Sequence, residues 1–189
     1  MIESTASEIM RELGIVQVGA AILGQSTKPL DLPNERDVAT WIIDQLFAAM
    51  DKVSRVHTFA KGVGIAAPQL AIDRRVAAVR PAEPGAAAII LLNPRIVACS
   101  DEVDTQFEGC LSFFDVRGLV PRPLRITIET TNLDGETSTA EYANGMARLI
   151  SHEIDHLDGV LYTALMDCGV APIRVEEYRQ TGRNWNYGP

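Results

Sequence analysis

Apolar positions recur along the chain with two different periods. At Val38, Trp41, Ile42, Leu46, Ala49 and Val53 they follow the helical period and predict a helix capped by Asp37. From Leu124 to Thr131 they alternate, with Leu124, Ile126 and Ile128 on one face and Arg125, Thr127 and Glu129 on the other, which predicts a strand half-exposed to water. Asn132-Leu133-Asp134-Gly135 supplies a turn, and Glu136 to Tyr142 is its return strand. Val76 to Arg80 and Ala88 to Leu92 read as short strands separated by a turn at Pro84-Gly85. Gly24 to Asn34, polar and proline-containing, reads as a surface loop, and Lys61 to Gln69 is glycine-rich and then apolar. Asn144 opens a second helix through Asp158, with Gly159 placed to end it. Thr181 to Pro189 is expected to be irregular. Strands first and an amphipathic helix late predict an α+β fold.

Length and composition fit this pattern. The 189 residues, 47% hydrophobic and 22% charged, suffice for a single domain over residues 1–189 with a full core. A net charge of −8 argues against nucleic acid as substrate. No apolar run reaches membrane-spanning length, and the start, Met1-Ile2-Glu3-Ser4-Thr5, lacks the layout of a signal peptide. The three cysteines, Cys99, Cys110 and Cys168, are too few and scattered for a disulfide framework. A cytoplasmic protein with reduced thiols is expected, and no membrane partner.

The chemistry lies in the late helix, in His152-Glu153-Ile154-Asp155-His156. Residues four apart stand one helical turn above each other, so both imidazoles face one ion. Glu153, rotated about 100° around the axis, stands beside that ion without ligating it. Two histidines and an acid/base make a metallohydrolase arrangement. A catalytic ion needs a third ligand, for which Cys110, Cys99, Cys168 or a carboxylate are candidates. Cys110 is favoured because Gly109 before it allows an unusual backbone angle or the close approach of a substrate. Two nitrogens and a sulfur suit zinc or iron(II).

Three segments together resemble one family. Gly62-Val63-Gly64-Ile65-Ala66-Ala67-Pro68-Gln69, Glu108-Gly109-Cys110-Leu111-Ser112 and His152-Glu153-Ile154-Asp155-His156-Leu157 resemble, in order, the three motifs of peptide deformylases, and the likeness runs from about Gly14 to about Tyr162. It implies antiparallel and mixed sheets packed around a central HExxH helix. It implies removal of the formyl group from the N-terminal formylmethionine of new proteins, possibly at the ribosome. Cys110, His152 and His156 would bind one divalent ion, Fe(II) or Zn(II) with nickel or cobalt as substitutes, and Glu153 would be the general acid/base. The Gln69 amide and the Leu111 N–H would hold the oxyanion. Backbone near Val63, Gly64 and Gly109 would align the peptide as an added strand, Arg117 would lie by the channel, and Arg122 with Asp155 would support the site.

The chain departs from the family pattern at Ser151, where glutamine is usual, and at Phe113-Phe114-Asp115, where a small, proline- and glycine-like stretch is usual. Neither change removes a ligand or the base. The aromatic pair lies next to the expected channel and motivates an alternative substrate, a small N-formyl metabolite; one of the two rings is expected in the core. A zinc endopeptidase and a non-catalytic metal-binding protein are further alternatives.

Overall fold

The computed structural model describes residues 5–83 and 85–180; Pro84 and Thr181–Pro189, and with them the expected Pro84 turn residue and irregular tail, lie outside them. Among the described residues there are four α-helices, α1 (Ala6–Glu12), α2 (Arg36–Val56), α3 (Asn144–Leu157) and α4 (Val175–Gln180). The strands form three antiparallel three-stranded sheets. The first joins β1 (Val63–Ala66), β2 (Val76–Arg80) and β3 (Ile89–Leu92). The second orders β4 (Arg95–Cys99), β7 (Arg125–Thr131) and β8 (Thr137–Ala143) as β4-β7-β8. The third joins β5 (Val103–Cys110), β6 (Phe113–Pro123) and the short β9 (Ile173–Arg174).

Strand β2 shows how the layers stack. Successive side chains of a strand point to opposite faces. Val76 and Ala78 join a core with Ile42, Leu46 and Met50 of α2, while Ala77 and Val79 join one with Leu149, Ile150 and Ile154 of α3. Ile126 and Ile128 of β7 close the other side of α3. The motif helix is thus sandwiched between two sheets, and a run from Ala147 to Ile154 is buried without a break. Each fully buried Ile or Leu in these layers contributes about 1.5–3 kcal/mol relative to its exposed state.

The expected α+β architecture is present, with differences that have local causes. Helix α2 begins at Arg36 after Glu35, and neither residue's side chain caps it; Asp37 sits in the first turn, where its charge faces the positive helix end. Val38 and Trp41 are 41% and 52% exposed, because the buried stripe runs through Ala39, Ile42, Leu46 and Val53 instead. The segment read as a surface loop buries Thr27 and Leu30; the Asn93 amide both donates to and accepts from the Leu30 backbone, at 2.9 and 2.7 Å. The hairpin β7–β8 and strands β2 and β3 fall within a residue or two of expectation, and Gly159, at φ +74°, ends α3.

Candidate metal centre

The three motifs meet at one end of α3. Val16 N–H donates to the Gln69 carbonyl at 2.8 Å and Val18 N–H to the Ser112 carbonyl at 2.9 Å. Between them, the Gln17 amide donates to the carbonyls of Ile15 and Leu111. This short extended stretch therefore ties the first motif to the second by backbone contacts. No side-chain pattern in the sequence announces such a role.

Cys110 at the end of β5 and His152 and His156 on α3 are all buried, and their ligating atoms lie within 4.8 Å of one another. Cys110 Sγ is 3.0 Å from His156 Nε2. Burial alone would raise the Cys110 thiol, but His156 and His152 beside it win and hold it well below the ordinary cysteine value. A thiolate flanked by two imidazoles attracts a cation at the point they share. Cys99 and Cys168 are exposed and lie elsewhere in the sequence's fold, so neither joins the cluster.

Glu108 fits the set to a metal. Its Oε2 is 3.0 Å from His152 Nδ1, so His152 donates there and presents Nε2 to the cluster. The same carboxylate accepts from Arg122 Nε and Nη2, both at 2.9 Å, and from Arg148 Nη1 at 2.8 Å. Arg122 also donates to Asp155 Oδ2 at 2.5 Å. Burial would raise Glu108, yet Arg122 and His152 outweigh it and hold the carboxyl far below the usual range. Two carboxylates and two guanidiniums, nearly all shielded from water, balance one another. Arg122 thus joins Glu108 to Asp155, and the bridging of Glu108 and Arg148 was not legible in the motif.

Glu153 stands over the cluster with one oxygen, Oε2, buried and without a hydrogen-bond partner among the described residues. Burial raises its carboxyl to about 7, against the pull of His152 and His156. A carboxyl so poised is able to exchange a proton near neutral pH. Gly64 of β1 is required by this placement: a Cβ there would fall on the Glu153 carboxylate and within 2.6 Å of its Cγ and Cδ. Gln69 is buried, with Oε1 accepting from Ala66 N–H at 2.9 Å. Its Nε2 has two hydrogens, and its neighbours are Ser112 Oγ at 3.2 Å and Cys110 Sγ at 3.5 Å.

These groups open into a cavity of about 330 Å³, lined also by Val63, Leu111, Phe114 and Arg117. Gly109 has an ordinary backbone angle; what approaches it closely is Arg117, whose Cδ, Nε and Cζ would lie within 2.7 Å of a Cβ added there. Arg117 Nη1 donates to the carbonyls of Phe114 and Val116, and its guanidinium lies 4.7 Å from the Phe114 ring centre. Phe114 is buried and still lines the cavity, while Phe113 is partly buried against Cys110, Val120 and Tyr162. Ser151 Oγ donates to the Ala147 carbonyl at 2.7 Å, satisfied inside its own helix. Both departures from the family pattern are therefore packed into the fold, Phe113 directly against Cys110, and neither replaces a residue of the Cys110, His152 and His156 cluster.

The sequence model of the polypeptide deformylase family matches residues 12–168. The chain belongs to the peptide deformylase family. It is 34% identical to peptide deformylase 2 of Nostoc sp. over 175 residues, which are 89% of this chain and 93% of that one. The class I type b peptide deformylase of Acinetobacter baumannii superposes with a TM-score of 0.71 at 34% identity, over 81% of this chain and 97% of that one. A peptide deformylase 1B mutant of Arabidopsis thaliana gives a TM-score of 0.70 at 29% identity, over 88% and 85%. As a deformylase the chain is a metal-dependent hydrolase that removes the N-formyl group from N-terminal methionine, and the likeness favours this over a metabolite formamidase or an endopeptidase. No helix among the described residues is long and apolar enough to cross a membrane.

Proposed function

We propose that residues 1–189 act as one catalytic domain, in the cytoplasm, on formylmethionyl peptides as they leave the ribosome, with nucleic acid not a substrate. Cys110, His152 and His156 hold one divalent ion, Fe(II) or Zn(II), with nickel or cobalt able to substitute. The ion supplies, when bound, a positive centre that acidifies water and polarises the formyl oxygen. Glu153 takes a proton from the attacking water. As the carbon–nitrogen bond breaks, it passes that proton to the leaving amine, so that formate and a free N-terminus result. The Gln69 amide and the Leu111 N–H face the oxygen on which negative charge develops, a role worth about 10²–10³-fold in rate per donor in other acyl-transfer enzymes. Backbone at Val63, Gly64 and Gly109 aligns the peptide as an added strand beside Arg117.

One observation carries this reading: a buried sulfur and two imidazoles within 4.8 Å of one another, roofed by a carboxyl with an unpartnered oxygen. A neighbour supports the substrate class, since the A. baumannii enzyme has been crystallised with Met-Ala-Ser bound, at a TM-score of 0.67, 32% identity and coverage of 80% and 96%. The test is turnover of formyl-Met-Ala-Ser by anaerobically purified protein, alongside metal analysis of the protein and of Cys110→Ala. Formate release with one bound ion, and loss of both in the variant, is expected. A variant that keeps its metal and its activity would remove Cys110 from the ligand set.

A further inference from the structure

The channel has a second chemical character away from the cluster. Although acidic residues outnumber basic ones in the chain by 25 to 17, three basic side chains, Lys61, Arg117 and Arg179, line the cavity. Glu153 is the sole carboxylate lining it among the described residues. Neither Arg117 nor Arg179 forms an ion pair with a described carboxylate; the charged partner of Arg174 in the same segment is Glu176, at 3.6 Å. Arg117 is half-buried and fixed on two backbone carbonyls, whereas Arg179 is exposed at the rim. The cations are close enough to repel: burial lowers Arg117 first and Arg179 lowers it further, and burial followed by Arg117 brings Lys61 down to about 8. Lys61 remains mostly protonated at neutral pH.

The wall that brings Arg179 here lies beyond residues 12–168, the stretch that the family model matches. Strand β9 pairs with β6 through Ile173 and Arg174, opposite Arg117 and Val116. It turns at once into α4, whose Val175, Tyr178 and Arg179 line the cavity. Tyr178 anchors this wall: its ring meets Phe107 edge-on at 5.3 Å, and its hydroxyl bonds the Lys61 ammonium, which also lies 4.9 Å from the ring centre. Two guanidiniums, Arg117 and Arg179, that face one cleft without a described carboxylate between them repel each other and favour a ligand of opposite sign.

We propose that Arg117 and Arg179, with Lys61, form a carboxylate-recognition rim that makes the enzyme select formyl-peptides carrying an acidic group in the residues just after the formylmethionine. The inference rests on the deformylase reading and adds its substrate preference. The carboxylate is a side chain or a chain terminus, and the two sources are separable.

The experiment compares kcat/KM of the metal-loaded enzyme for three peptides: formyl-Met-Ala-Glu amide, formyl-Met-Ala-Gln amide, and formyl-Met-Ala-Gln with a free terminus. At low salt the glutamate amide is expected to exceed the glutamine amide by roughly five-fold, shrinking toward parity at high salt. A preference for the free-terminus peptide instead would assign the rim to the chain end. Arg179→Gln should reduce the ratio, and Arg179→Glu should invert it toward formyl-Met-Ala-Lys amide; the residue is exposed, so folding is not at stake. Equal rates for all three peptides, or a ratio unchanged in Arg179→Glu, would overturn the proposal. Turnover of the glutamine amide reports on the deformylase reading separately. Should that fail, calorimetric binding of Met-Ala-Glu amide against Met-Ala-Gln amide still decides the preference.

Discussion

The two ends of the channel are built on opposite principles. At the inner end, Glu108 is 1% exposed and each of its oxygens is taken twice, by Arg122, Arg148 and His152. Charge is balanced locally, and His152 is held in one tautomer and one orientation. At the outer end, Arg117 and Arg179 find no carboxylate among the described residues, and the wall that carries Arg179 is a two-residue strand and a six-residue helix. The inner end is organised to hold still before any substrate arrives; the outer end leaves charge for a ligand to answer. Chemistry is expected to be sensitive to the first and selectivity to the second, a division that substitutions at either end can break.

Glu153→Gln is the severest. It keeps the shape beside Gly64 but cannot carry a proton between water and amine. Turnover should fall by about 10²–10⁴-fold. Metal content, measured on the same preparation, should match the parent, because Glu153 is not in the ligand set. A variant that lost its metal as well would show that the carboxyl helps build the centre rather than serve it.

Glu108→Gln attacks the centre from behind. The amide cannot accept from two guanidiniums and an imidazole together, and two buried cations are left short of a partner. Removing one member of such a network costs about 3–5 kcal/mol, and losing the group that orients a ligating histidine weakens metal binding by about 10–100-fold. Denaturant unfolding and chelator competition measure the two effects. The dependence on pH has a definite sign. The folded Glu108 carboxyl lies below its ordinary value of 4.5, so its contribution is complete above that pH and is lost as pH falls toward the depressed folded value. The stability gap between parent and variant should therefore narrow in acid below about pH 4.5 and stay level above it. A gap that widened in acid would mean that Glu108 is not ionised in the fold.

How far the sequence disclosed each end follows from the same contrast. His152, Glu153 and His156 were legible because a helix places residues one and four apart on known sides of its axis, and the observed α3 obeys this. Strands β2, β7 and β8 were legible from their alternation and turn residues. Hairpin β5–β6 was not read as strands at all. Its inward positions include Glu108 and Arg122, charged residues that look like solvent-facing ones until their partners are known. Strand β4 is exposed at every position, and its run Ile96-Val97-Ala98-Cys99 shows no alternation of apolar and polar residues to find. Val38 and Trp41 had the right spacing for a buried face but lie on the margin of the stripe. At Gly109, expected to allow an unusual backbone angle or the approach of a substrate, the angle is ordinary and Arg117 packs close, a neighbour that the sequence did not announce because it is eight residues away and on another strand. The outer wall carried no signal, because Arg179 is brought near Arg117 by the pairing of β9 with β6, two strands that the sequence pattern did not reveal.

Tyr178→Phe is the mildest change and the most direct comparison of the two ends. It deletes the hydroxyl that bonds Lys61 and keeps the ring that packs on Phe107. A partly exposed hydrogen bond of this kind contributes about 0.5–1.5 kcal/mol at most, so unfolding should shift little. The rim would lose part of what fixes Lys61, so KM for the glutamate amide should rise about 2–3-fold, the scale of a partly screened charge contact, while kcat holds. The inner end depends on none of these atoms: His152 takes its orientation from Glu108, and Glu153 its position from Gly64. If Tyr178→Phe lowered kcat and left KM alone, the wall would be acting on the chemistry and the division between the two ends would not hold.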